Sequence, residues 1–112
     1  MKYLELATKI AMMDIKDHDR NFIFGAVAIR QDGALITATN IRTQLPMPEA
    51  HCESRCLRKA GYGSILYVVR LNRNGNWAMS KPCPTCASLI KNRCVRKVFY
   101  SVSPNTYAVW NP

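Results

Sequence analysis

The fold of the chain is decided by two short segments, Pro48-Glu49-Ala50-His51-Cys52-Glu53 and Lys81-Pro82-Cys83-Pro84-Thr85-Cys86. The first contains the pattern H-x-E and the second the pattern P-C-x-x-C. One imidazole and two thiolates are suitable ligands for Zn²⁺, and three protein ligands leave the fourth tetrahedral position open, as in catalytic sites. The pattern therefore predicts a catalytic zinc site with the ligands His51, Cys83 and Cys86, and with Glu53 close to the metal but not bound to it.

The spacing of the two cysteines supports this prediction. Cys83 and Cys86 lie about 60° apart around a helix, so both sulfur atoms can face one metal ion. They stand at a predicted helix start, where the helix dipole favours thiolate over thiol. A structural zinc site or a redox motif is the alternative, because Cys-x-x-Cys occurs in both. No fourth ligand has the usual spacing, and His18, the one other histidine, lies in a polar stretch.

Length and charge restrict the function further. The chain has 112 residues, of which 48% are hydrophobic, and this is enough for one domain with a core. We therefore expect a single domain over residues 1–112. Sixteen Lys and Arg against seven Asp and Glu give a net charge of +9. This balance favours anionic partners, either nucleotide phosphates or a nucleic-acid strand, and does not choose between them.

The N-terminus and the cysteine count predict the compartment. Lys2, Glu5 and Lys9 interrupt the first residues, so no cleavable signal is expected. No stretch approaches the ~18 apolar residues of a membrane span. Five cysteines form an odd set, which argues against a disulfide framework and fits a reducing cytosol. We therefore expect a cytoplasmic protein without a membrane partner.

Apolar periodicity and turn residues predict the elements in chain order. The N-terminal half reads as a helix over 2–16, a buried strand over 22–30, a hairpin at 32–33, a strand over 34–39 and a helix from Pro48 to Gly61 or Gly63. The C-terminal half reads as a strand over 64–71, a turn at 74–75 leading to 77–79, a helix from about Pro84, a strand over 95–101 and an ambiguous segment 102–112 with a possible strand around 107–110. The order α-β-β-α-β-α-β predicts a mixed sheet covered by helices.

The combination of H-x-E with P-C-x-x-C is the signature of zinc deaminases. The chain resembles the cytidine/deoxycytidylate deaminase superfamily, and its phage deoxycytidylate-type members in particular. The likeness covers about residues 20–101, including Phe24–Ile29, the loop Asn40–Thr43 and the strand Arg96–Ser101. It implies a three-layer α/β/α fold, in which a mixed central sheet of about five strands carries helices on both faces.

The resemblance also implies substrate-binding residues. Asn40 is similar to the asparagine that contacts the sugar, and Arg42 in the same loop is a candidate for the phosphate or a solvated charge. Phe24 lies on the strand that family members place beneath the base, together with the Gly-Ala pair that follows it. Ala50 and Cys52 flank His51. Position 52 is commonly Ala in the family, so the Cys52 thiol either narrows the pocket or packs behind it.

The activity implied by the resemblance is the hydrolytic conversion of a cytosine base to uracil with release of ammonia. Glu53 would move the protons, and the expected substrate is a free nucleotide or nucleoside, dCMP being the first to try. The alternatives are deamination of cytosine or adenine in single-stranded DNA or RNA, a guanine or adenine deaminase, and a non-catalytic zinc-binding module. Members of the family commonly assemble, so a homo-oligomer is expected.

The sequence also predicts whether several residues outside the motifs lie in the core or at the surface. Cys56 and Cys94 read as small core residues rather than as ligands. Arg55, Arg58 and Lys59 read as a basic helix surface. The aromatic residues of the last segment, Tyr107 and Trp110, are interpreted as core residues of a terminal strand, with base stacking as the alternative.

Overall fold

A computed structural model describes residues 1–15, 23–39 and 52–112 of the chain. In these ranges three helices and six strands follow in this order: α1 (Lys2–Ile15), β1 (Ile23–Ile29), β2 (Leu35–Thr39), α2 (Cys52–Ala60), β3 (Ile65–Leu71), β4 (Trp77–Ala78), α3 (Pro84–Asn92), β5 (Lys97–Ser103) and β6 (Thr106–Trp110). The predicted elements that fall in the described ranges are confirmed within a few residues. The predicted loop after Thr39 and the predicted helix start at Pro48 lie outside these ranges.

The strands form one mixed sheet in the order β2-β1-β3-β5-β6, and β4 pairs with β3. β3 and β5 run parallel, with Ile65 opposite Lys97 and Val68 opposite Tyr100. All other pairs are antiparallel. A parallel pair needs a crossover connection, and here the connection contains β4 and α3. The segment with the P-C-x-x-C pattern therefore lies on the crossover between the two parallel strands.

Two apolar clusters cover the two faces of the sheet. On one face, α1 packs against β1 and β3 through Leu4, Ala7, Ala11, Ile23, Val27, Tyr67, Val69 and Leu71. On the other face, α2 and α3 pack through Ala26, Ala28, Cys52, Cys56, Leu57, Ala60, Leu66, Val68, Ile90, Val95 and Val98. Side chains of one strand alternate between these clusters, as the period of a strand requires. The predicted three-layer α/β/α fold is confirmed, with six strands instead of about five.

Gly25 allows α1 to approach the sheet closely. A Cβ atom at this position would overlap the carbonyl oxygen of Ala7 and lie 2.7 Å from the backbone nitrogen of Ala11. Gly25 therefore packs against α1, on the face opposite α2 and α3. The resemblance implies that the strand with the Gly-Ala pair lies beneath the base; at Gly25, a Cβ would point toward α1 and not toward α2 and α3. The strand alternation directs Phe24 and Ala26 to the α2–α3 face instead.

A hairpin joins β3 to the short strand β4. The sequence predicted only a turn at 74–75 that leads to residues 77–79, and no strand there. The side-chain Oδ1 of Asn72 accepts hydrogen bonds from the backbone nitrogens of Asn74, at 2.9 Å, and Asn76, at 3.0 Å. Gly75 has a φ of +83°, a left-handed conformation that glycine adopts without strain. The Nε1 of Trp77 then donates to Thr8 Oγ1 on α1 at 2.9 Å. The hairpin is thereby attached to the first helix.

One prediction about the cysteines is confirmed and one is wrong. Cys56 is buried in the core between α2 and the sheet, whereas Cys94 is exposed. Cys94 follows α3 with a φ of +53°, the left-handed conformation in which a helix commonly ends, and its side chain points away from the core. None of the helices in the described ranges is long and apolar enough to cross a membrane.

Candidate active site

The P-C-x-x-C segment forms the N-terminus of α3. Cys83 is the N-cap residue, with extended backbone angles of φ −66° and ψ 165°, and Pro84 occupies the first turn. Proline is well suited to this position because the helix needs no backbone N–H there. The backbone nitrogen of Ala87 donates to the Cys83 carbonyl at 2.8 Å. Cys83 is half-buried and Cys86 is buried, so both sulfurs belong to the first turn of one helix.

Two buried serines fix the chain just before this turn. The backbone nitrogen of Ser80 donates to the Ser101 carbonyl at 2.9 Å, and the two hydroxyl oxygens lie 2.9 Å apart. Ser101 Oγ also donates to the Ala78 carbonyl at 2.7 Å and accepts from the Arg70 backbone nitrogen at 3.1 Å. The serines thus connect β3, β4 and β5. The sequence analysis did not select them, although a serine inside the apolar strand 98–102 was a usable signal.

Glu53 lies in the first turn of α2 and is only 5% exposed. The thiol of Cys52 donates to its Oε1 at 3.1 Å. Burial, followed by the nearby charge of Glu53, raises the pKa of Cys52 well above its usual value, so the thiol keeps its proton at neutral pH. Cys52 is fully buried in the core cluster on this face. Of the two interpretations of Cys52, packing behind the pocket is the one in agreement with this position.

Cys86 brings the two helix starts together. The Oγ of Ser54 lies 3.9 Å from its sulfur, within the distance of a hydrogen bond to sulfur. Burial, the charge of Glu53 and a hydrogen bond with the Cys83 side chain all raise the pKa of Cys86. Cys86 also interacts electrostatically with Cys52. The side chains of Cys52, Glu53, Cys83 and Cys86 therefore form one cluster between the N-termini of α2 and α3.

The donor set of this cluster fits zinc. The two thiols of Cys83 and Cys86 are in contact, and thiolates are among the ligands that Zn²⁺ prefers. With Glu53 beside them, the ionised forms of these groups all carry negative charge, so a bound cation relieves their mutual repulsion. Within the ranges that the structure describes, no group of three or more His, Cys, Asp or Glu side chains is placed so that it could hold a metal ion. The third predicted ligand, His51, lies outside these ranges, one residue before α2.

The remaining predicted site residues divide into two groups. Asn40, Arg42 and Ala50 lie outside the described residues. Phe24 is half-buried, packs against the α2–α3 cluster and stands opposite Arg70 in the β1–β3 register. Arg70 therefore places a half-buried cation on the face that carries the cluster. The sequence analysis did not select Arg70, although an arginine near the end of an apolar strand is an unusual feature.

Polar contacts hold α2 against the neighbouring strand β2. An Nη atom of Arg55 donates to the Thr39 carbonyl, and the thiol of Cys56 lies 3.4 Å from the Ile36 carbonyl. Burial is the main cause that raises the pKa of Cys56 to about 12, so this thiol remains a neutral donor. Arg58 is exposed, in agreement with the predicted basic surface, but Arg55 is half-buried and tethers the helix.

Solved structures of deaminases share this fold. Guanine deaminase from Bacillus subtilis has a TM-score of 0.67 and 28% sequence identity, over 90% of this chain and 62% of that enzyme. A structure from a study of A-to-I editing by tRNA:A34 deaminases has a TM-score of 0.61 and 29% identity, over 88% of this chain and 73% of the other. The dCMP deaminase of the cyanophage S-TIM5 has a TM-score of 0.61 over 88% of this chain and 79% of its own; its 18% identity shows the fold alone.

The family is established by a comparison with family models. No curated protein matches the chain in sequence. The model of the cytidine and deoxycytidylate deaminase zinc-binding region matches residues 1–102, which include both the H-x-E and the P-C-x-x-C patterns. The match spans nearly the whole chain, and the cluster at the starts of α2 and α3 is formed by residues of the two patterns. The chain therefore belongs to the cytidine and deoxycytidylate deaminase zinc-binding family.

Proposed function

We propose that the chain is a zinc-dependent hydrolytic deaminase that converts a cytosine base to uracil, with a nucleotide or nucleoside of the dCMP or cytidine type as the minimal substrate. One observation carries this proposal. The carboxylate of Glu53 is buried beside the contacting thiols of Cys83 and Cys86, where two helices begin. A structural zinc site does not need a buried carboxylate beside its ligands, whereas proton transfer at a catalytic site does.

The proposed zinc ligands are His51, Cys83 and Cys86. When bound, Zn²⁺ supplies the Lewis acidity that activates a water molecule at neutral pH. The N-terminus of α3 opposes the burial that raises the pKa of Cys86, and a bound cation would favour the thiolate form further. The hydrogen bonds of Ser80 and Ser101 fix the approach to Cys83, so that the two sulfurs are held ready for the metal.

Glu53 is proposed to carry protons between water and the base. Its carboxylate takes one proton from the attacking water and gives it to N3 of the ring. It then takes the remaining proton of the added hydroxyl and gives it to the amine, which leaves as ammonia. The overall reaction adds one water and releases one ammonia, so no further reactant is needed. The hydrogen bond from Cys52 to Oε1 orients the carboxylate, and burial keeps bulk water away from it. Both effects favour proton transfer within the site over exchange with solvent.

The substrate contacts are proposed from the resemblance and from the placement of Phe24. Asn40 is assigned to the sugar, Arg42 to a phosphate, and Ala50 to the edge of the base. Phe24 lies on the face that carries Glu53, where an aromatic ring can contact the base. We further propose that residues 1–112 act as one domain and that the enzyme is a homo-oligomer.

Zinc-loaded protein incubated with C, dC, CMP, dCMP, dCTP, guanine, adenosine and a cytosine-containing oligonucleotide tests this proposal directly. Release of ammonia is measured, and Glu53→Gln is the matched inactive control. Ammonia from dCMP or a cytidine substrate supports the proposal. Deamination of guanine or adenosine alone would contradict the assignment of the base, and zinc binding without release of ammonia from any of these compounds would contradict the enzyme.

A second substrate form is favoured by the charge of the chain. The net charge of +9 exceeds what one phosphate requires and suits a single-stranded nucleic acid, in which the same reaction would occur on a cytosine within the strand. The 29% identity to a structure described with tRNA:A34 deaminases is in agreement with this alternative.

A further inference from the structure

A groove of about 320 Å³ lies along α3, on its flank toward β5 and β6. Its lining residues are Lys81, Pro82, Ala87, Tyr100, Val109 and Trp110. None of them belongs to the proposed catalytic cluster. The groove nevertheless begins next to that cluster, because Pro82 directly precedes Cys83 and Ala87 directly follows Cys86. The groove and the cluster therefore share the segment that leads into α3 and the first turn of that helix.

The lining combines aromatic rings with positive charge. Trp110 and Tyr100 are half-buried, so part of each ring is available at the groove, whereas Lys81 is exposed at its end nearest Cys83. The ammonium group of Lys91 lies 6.0 Å from the centre of the Trp110 ring. The six lining residues include no carboxylate. Aromatic faces that stack on bases, combined with basic side chains that contact phosphates, are the features with which proteins bind single-stranded nucleic acid.

We propose that this groove binds the nucleotide adjacent to the target cytosine in a single-stranded nucleic acid. The adjacent base stacks on Trp110, and the connecting phosphate pairs with Lys81. The proposal rests on the proposed function and specifies its substrate class: dCMP fills the catalytic site alone, whereas a strand fills both. Two observations select a strand as the occupant, namely the position of Pro82 and Ala87 on either side of the Cys83–Cys86 segment and the charge of +9. Cytosine in an oligonucleotide should therefore be bound more tightly than dCMP.

A fluorescence experiment tests the stacking. Trp77 and Trp110 are the two tryptophans of the chain, so Trp77→Phe makes Trp110 the single emitter. Circular dichroism checks that this variant folds, since Trp77 loses its hydrogen bond to Thr8. A short single-stranded oligonucleotide with one cytosine is then titrated in comparison with dCMP. The proposal expects quenching of Trp110 by the oligonucleotide and no quenching by dCMP.

Substitutions at the groove test the affinity by fluorescence anisotropy of a labelled oligonucleotide. Trp110→Ala should weaken binding roughly 5- to 150-fold, which corresponds to the loss of one stacked base. Lys81→Ala should weaken binding and lower the slope of log K against log salt by about one. Lys9→Ala is the matched control. It removes the same charge, but Lys9 is exposed on α1, on the other face of the sheet. Lys81 is also exposed, so its variant decides the outcome even if Trp110→Ala fails to fold.

The results separate this inference from the proposed function. Equal oligonucleotide affinities and salt slopes for Lys81→Ala, Lys9→Ala and the unaltered protein would overturn the groove, even if dCMP is deaminated. Lys81→Ala could instead change the oligomeric mass and leave oligonucleotide binding unchanged. This result would assign the groove to a contact between copies of the chain and would also overturn the proposed nucleotide binding. Release of no ammonia from any substrate would instead reject the proposed function, while binding in the groove could still be measured.

Discussion

Ser101→Ala should be one of the most destabilising small substitutions in the chain. The hydroxyl of Ser101 is fully buried, accepts from the Arg70 backbone nitrogen and donates to the Ala78 carbonyl. Alanine cannot replace either bond, and its methyl group keeps water away from both backbone groups. Each hydrogen bond contributes about 1 kcal/mol, and a buried group left without a partner costs about 1–3 kcal/mol. Two lost bonds therefore predict a fall of about 2–4 kcal/mol in the free energy of unfolding.

Urea unfolding of the zinc-loaded protein, followed by circular dichroism, measures this change. For a domain of this size the loss corresponds to a fall of roughly 8–20 °C in the melting temperature. Ser88→Ala is the matched control, since Ser88 is exposed on α3 and alanine favours a helix. Ser101→Ala should also weaken zinc binding, because it removes the hydroxyl that lies 2.9 Å from the Ser80 Oγ, on the segment that leads into Cys83. A free energy of unfolding within about 0.5 kcal/mol of that of Ser88→Ala would refute the reasoning.

Four further substitutions or reactions test other parts of the structure. Glu53→Gln should keep the fold and bound zinc but lose at least about 10²-fold in turnover, because its amide cannot move protons; retention of a tenth of the rate would place the proton carrier elsewhere. Cys83→Ser should lose zinc by metal analysis together with stability, and full occupancy would contradict its role as a ligand. Gly25→Ala should destabilise by several kcal/mol in urea, since its Cβ overlaps the backbone of α1, and a near-neutral result would show that α1 can shift. Maleimide at pH 8 should modify the exposed Cys94 before the buried Cys56, because the Cys56 pKa of about 12 keeps that thiol protonated at pH 8. Mass spectrometry of peptides reveals the order of modification.

Local patterns in the sequence were sufficient to predict most elements. The apolar run over 22–30 gives β1, and the Asp32-Gly33 pair gives the hairpin to β2, because both signals depend on residues close together in the chain. The motif segments were predictable for a different reason. A metal site requires ligands of fixed type at fixed spacing, so the start of α3 at Pro84 followed from the proline and the two cysteines.

Features that depend on distant neighbours could not be predicted in the same way. β4 contains two residues and exists as a strand because it pairs with Arg70 and Leu71. The role of Gly25 depends on the position of α1, which no local pattern specifies. The exposure of Cys94 follows from a left-handed backbone at the end of α3, where the hydrophobicity of the side chain has no influence. The buried contacts of Ser101 and the groove at Trp110 likewise arise only after β5 and β6 join the sheet.

The central position of β3 should govern how quickly the chain reaches its native state. β3 pairs on one side with β1, where Ile65 lies opposite Ile29, and on the other side with β5, where Ile65 lies opposite Lys97. In both pairings the chain loses conformational entropy when a long loop closes, before the contacts between the strands can compensate for this loss. Non-local pairing of this kind slows folding to about milliseconds or longer. α2 lies in the first of these loops and α3 in the second. Glu53 and the two thiols of α3 can therefore meet only after both loops have closed, so formation of the site should be one of the last events in folding.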